Sequence, residues 1–69
     1  MRIPDFINAI PEMDIRLQRT LMNIYNYNDK DVRDVVKVEF INQRNTGFRT
    51  WEKFVEMRKR FFNERTENL

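Results

Sequence analysis

Apolar positions recur with helical spacing over most of this chain. Leu17, Leu21 and Ile24 fall at i, i+4 and i+7, so one helix is predicted from about Asp14 to Tyr25. Asp14 carries the short acceptor side chain that suits an N-cap. The polar run Asn26-Tyr27-Asn28 interrupts the pattern. Asp29 can then cap a shorter helix with Val32, Val35 and Val36 on its inner face, held by packing because β-branched residues favour helix weakly. Val35–Ile41 also shows some alternation, so a strand competes there. Two short helices with a joint near Lys37 are preferred, since a lone strand has no partner. A last helix is expected from about Phe48 to Asn63, with Phe48, Trp51, Phe54, Val55, Arg58, Phe61 and Phe62 on one face. Trp51 belongs to the core in this reading. Arg58 sits within the apolar stripe, so its stem is expected to pack while its head reaches water. Arg49, Lys53, Glu56 and Arg60 take the opposite face, and Glu56 and Arg60 form an i, i+4 pair.

The N-terminal residues carry two prolines. Pro4 and Pro11 bias Ile3 and Ile10 toward extended backbone. Phe6, Ile7 and Ile10 can form one short helical turn between them that packs on the body. The whole is predicted to be a single all-α domain of four to five helices: an arm over 1–12, a helical core over 13–62 and a frayed tail over 63–69. At 69 residues the core is small, and aromatics at 13% of the chain supply much of its apolar area.

The only glycine, Gly47, lies in Asn45-Thr46-Gly47-Phe48-Arg49-Thr50, between the third helical segment and the last. A lone glycine there suggests a backbone position with φ > 0 or a close approach by a ligand. A turn that opens a helix also directs backbone N–H groups outward, where they suit phosphate. Charge adds to this. Residues 1–41 hold six Lys/Arg against seven Asp/Glu, a balance of −1, whereas residues 42–69 hold seven Lys/Arg against four Glu, a balance of +3. The basic surplus therefore sits in the turn and the last helix, which suits an anionic partner. Arg16 and Arg19, three apart on the first long helix, share a face.

Composition removes several chemistries. The chain has no Cys, His or Ser, so thiol chemistry, thiolate-bound metal and Ser/His or Cys/His nucleophilic pairs are excluded. Asp29, Asp31 and Asp34 crowd one stretch, but no Gly bend accompanies them. Pairs Asp29–Arg33 and Lys30–Asp34 are the expected use of those charges. No metal, no cofactor and no enzymatic activity are expected. No apolar run approaches the roughly 20 residues of a membrane span, and a cytoplasmic protein is expected.

Ile15-Arg16, Leu21, Asp31-Val32, Phe40-Ile41 and Asn45-Thr46-Gly47-Phe48-Arg49-Thr50 together resemble the C-terminal domain of the bacterial RNA polymerase alpha subunit. The resemblance covers about residues 13–60. It implies a compact helical fold with a helix-hairpin-helix element at Gly47. It also implies binding of double-stranded DNA at an A·T-rich minor groove: Arg16 in the groove, and Asn45, Gly47, Arg49 and Thr50 on phosphate and sugar. Narrow A·T-rich grooves attract arginine electrostatically. This chain departs from the family in three places. Arg19 stands where the family has Asn, which keeps a phosphate contact available. Phe48 stands at a position often basic, and Asn26 at an apolar one. The polymerase-assembly domain is missing, so a free-standing copy of the fold is implied. The family also docks on transcription proteins. A protein-interaction module with Tyr25, Tyr27 and Phe48 as exposed anchors is the alternative function.

Overall fold

Asp14 and Asp31 begin two of the structural elements through the same device. In the computed structural model, Asp14 accepts a hydrogen bond from the Arg16 backbone N–H and starts α2, Ile15–Tyr27. Asp31 accepts one from the Arg33 N–H and starts a 3₁₀ turn, Val32–Asp34. The remaining elements are α1, Ile3–Ala9; α3, Lys37–Ile41; and α4, Phe48–Glu67. The structure describes residues 1–43 and 46–67, with side chains through 63. Among these the fold is all-α, and the only β feature is an isolated bridge between Arg2 and Asp31. None of the helices described is long and apolar enough to cross a membrane.

The first segment is helical and packs on the body, as expected, and the helix is longer than one turn. Ile3 and Phe6 are fully buried, and α1 packs on α2. Ile3 is helical although it precedes Pro4, because Pro4 lies in the first turn, where its missing N–H costs no intrahelical bond. Ile10, before Pro11, leaves the helix at φ −128° and ψ 78°. The N-terminus is stapled to the middle of the chain. The Met1 α-amino group donates to Asp31 at 2.7 Å, and the Met1 carbonyl accepts from the Val32 N–H at 2.9 Å.

The middle segment also differs from expectation. Asp31, not Asp29, is the cap, and the element it opens has three residues. Val35 and Val36 are then extended, so they point to opposite sides. Val35 is buried, whereas Val36 is 52% exposed instead of facing inward. The joint at Lys37 is where α3 begins, and no strand forms there. Without a continuous helix, the i, i+4 pairs do not form. Asp29 binds Arg2 at 2.8 Å, Lys30 binds Glu39 at 3.1 Å, and Asp31 takes Arg33 at 3.3 Å.

The core centres on three phenylalanines. Phe54 of α4 stacks on Phe40 of α3 at 5.2 Å and meets Phe6 of α1 edge-on at 6.1 Å. Leu17, Leu21 and Ile24 close it from α2, as their spacing predicts. Trp51 is half-buried against Phe40 and Phe54. Arg58 does not send its head to water. Its Nη1 donates to the carbonyls of Val35 at 2.9 Å and Val32 at 3.1 Å, with a longer contact to Arg33 at 3.4 Å. Its guanidinium lies 4.7 Å from the centre of the Phe54 ring. Burial lowers its pKa from the ordinary arginine value, although it stays charged. Phe48, expected in the core stripe, is 55% exposed under the Lys37 ammonium. The tail expected to fray from 63 is helical to Glu67.

Candidate nucleic-acid interface

Thr20 joins the two parts of the proposed site. It lies on the buried side of α2, only 3% exposed, and its hydroxyl must find partners there. It bonds the Arg16 carbonyl one turn earlier at 2.9 Å, as mid-helix threonines do. The same oxygen lies 3.0 Å from the Thr46 hydroxyl in the turn before α4. One hydroxyl therefore separates the backbone of Arg16 from the turn. Arg19, the neighbour of Thr20, sits on the same edge of α2. Sequence reading passed over Thr20; the available signal was a hydroxyl inside an otherwise apolar stripe.

Gly47 follows Thr46 and serves as the N-terminal boundary of α4: its carbonyl accepts the Trp51 N–H at 3.3 Å. Its φ lies outside the left-handed region, and no atom lies within 4 Å of where a Cβ would stand. The expectation of a positive φ is therefore corrected. Glycine is suited to this position because N-caps tolerate it, and its exposed backbone leaves the end of α4 open. The first N–H groups of α4 have no intrahelical acceptor and carry the positive end of a 20-residue helix. Arg49 is exposed in that first turn, and Thr50 is half-buried behind it. Asn45 lies outside the described residues.

The cations divide into two groups. Arg2, Lys30, Arg33 and Arg60 each hold a carboxylate, and Arg58 is engaged by carbonyls. Arg16, Arg19 and Arg49 are exposed and have no ion pair among the described residues; neither has Lys53, one turn after Arg49, nor Lys59 further along α4. Lys53 shares the face of α4 that carries Arg49, as its spacing predicts. Toward the start of α2 the surface changes sign. The groove between α2 and α4 there is lined by Glu12, Asp14 and Glu56 as well as Lys53. Asp14 is occupied at the α2 N-cap, but these acids still bound the cationic edge on that side.

The aromatic anchors of the alternative reading separate. Tyr27 is 88% exposed and Phe48 55%. Tyr25 is not a free anchor: it is half-buried, and its hydroxyl accepts a hydrogen bond from Arg2. Asp29, Asp31 and Asp34 form no metal-binding group among the described residues. Asp31 is held well below the usual carboxylate range, first by the hydrogen bond from the N-terminal ammonium and then by the Arg33 backbone N–H. Searches of family models, curated proteins and solved structures found no match to this chain.

Proposed function

We propose that the edge formed by α2 and the start of α4 binds double-stranded DNA through the phosphate backbone, with Arg16 directed at the minor groove. The observation that carries this reading is the pairing pattern. Most other cations described are committed to carboxylates, carbonyls or an aromatic ring, whereas Arg16, Arg19, Arg49 and Lys53 are unpaired around the Thr20–Thr46 contact. The open end of α4 adds backbone donors suited to phosphate. The resemblance to the polymerase alpha C-terminal domain supports the same edge and suggests a preference for A·T-rich grooves, in transcription or another DNA transaction. The role is binding and not catalysis.

Three or four phosphate contacts give modest affinity with a log–log salt slope of about −3. Fluorescence anisotropy with a labelled A·T-rich duplex tests this. Binding should weaken along that slope, and Arg16→Ala and Arg49→Ala should each lower affinity by about 1 kcal/mol without changing the helical circular dichroism. A folded protein that ignores the duplex even at low salt would overturn the reading. The exposed rings of Tyr27 and Phe48 would then favour a protein-interaction module.

A further inference from the structure

The groove where the end of α2 meets the end of α3 carries almost no charge. Asn23, Asn26, Tyr27 and Asn28 line it from α2, and Asn42 and Gln43 from α3. Charged residues make up 35% of the chain, yet the lining includes one ionised residue, Glu39, which Lys30 neutralises at 3.1 Å. Gln43 spends its amide nitrogen on the Glu39 carbonyl at 3.2 Å. The side chains of the four asparagines make no hydrogen bond among the described residues, and Tyr27 is 88% exposed beside them. The groove thus offers uncharged donors and acceptors next to one open ring.

It is continuous with the edge proposed to bind DNA. Arg16, Asn23 and Tyr27 fall at i, i+7 and i+11, on one line along α2, and Tyr27 stands about 12 Å beyond Arg19 along the axis. The Thr46 N–H donates to the Gln43 carbonyl at 3.3 Å, so the end of α3 is joined to the turn that meets Thr20.

We infer that this groove takes an unpaired nucleobase from the strand whose phosphates lie on Arg16 and Arg19, so the preferred ligand is duplex DNA with a single-stranded segment beside it. The inference rests on the DNA reading and extends it. A side-chain amide sets a donor beside an acceptor, as the edge of a base does. Within a duplex both faces of a base are covered by stacked neighbours, so Tyr27 needs a base that has left the stack. The division of charge fits the same ligand: the backbone takes the cations, and the base takes the neutral groove.

Fluorescence anisotropy can compare the labelled A·T-rich duplex with the same duplex carrying a single-stranded extension of about four nucleotides on either strand. The extension should tighten binding about tenfold, and an abasic extension of equal length should not. Tyr27→Ala should remove the gain, so that the two duplexes bind alike, whereas Tyr27→Phe should keep it because the ring face remains. Asn23→Ala with Asn42→Ala should cut the gain by about fivefold. All three positions are exposed, so the helical circular dichroism should be unchanged. Equal affinity for the blunt and extended duplexes overturns the inference and leaves the duplex reading in place. So does an abasic extension that works as well, or a gain that survives Tyr27→Ala or the paired asparagine variant. Binding to neither duplex overturns both.

Discussion

Arg49 and Arg58 lie on one helix, nine residues apart, and are used in opposite ways. Arg58 is directed inward. Its guanidinium is held between the Phe54 ring and the carbonyls that end the 3₁₀ turn, where it donates to Val35 and gives Val32, whose carbonyl also accepts the Val35 N–H, a second donor. Arg49 is directed outward beside other unpaired cations. The difference follows from helical position. Position 58 shares a face with Phe54 and Trp51, whereas position 49 falls on the side that holds Lys53. A cation among carbonyls is part of the fold, and a cation among cations remains available to an anion.

Exchanging the two roles should produce unequal costs. Arg58→Ala removes the donor to the Val35 carbonyl and one of the two to Val32, and uncovers the Phe54 ring. It should destabilise the protein by about 3 kcal/mol, read as a lower denaturant midpoint. Arg49→Ala, by comparison, should leave that midpoint in place. If Arg58→Ala is equally mild, the contrast between the two arginines fails. Thr20→Val keeps the shape of the side chain and removes the bond to Thr46. It should lower stability by about 1 kcal/mol and also weaken DNA binding, because the α2 edge is then untied from the turn. A loss of stability with unchanged DNA affinity would show that the tie does not organise the site.

Acid offers a third probe. The pKa of Asp31 is depressed in the folded state, so its contribution is present above the ordinary aspartate value of about 3.9 and is lost as pH falls through the lower folded value. Asp31→Asn should be less stable than the parent by about 1 kcal/mol at neutral pH, with the gap closing in acid. A gap independent of pH would remove the ionic role of the N-terminal staple. Gly47→Ala should produce the smallest effect, within about 0.5 kcal/mol, since the φ is ordinary and the space around it is open. A large loss there would restore the expectation of a strained turn.

How much of this was legible in the sequence varied with the range of the interaction. The start of α2 at Asp14, its Leu17–Leu21–Ile24 stripe and the Glu56–Arg60 pair were legible because each depends on residues within two turns of one helix. The 3₁₀ turn, the exposure of Val36 and the burial of Ile3 were not. These depend on the N-terminus bonding to Asp31 and Val32, thirty or more residues away. In the candidate site, Arg16, Arg19 and Arg49 could be named from spacing and resemblance. Thr20 could not, since its relevance arises only where α2 meets the turn.

Sequence alone determined the all-α class, the amphipathic faces of the long helices and the absence of thiol and imidazole chemistry. Periodicity and composition are local properties, and no partner is needed to express them. Tertiary structure decided which charges were consumed. An arginine in an apolar stripe can reach for water or for carbonyls, and the carbonyls that engage Arg58 belong to a segment more than twenty residues earlier. The same long-range packing left Arg16, Arg19, Arg49 and Lys53 without an ion pair among the described residues.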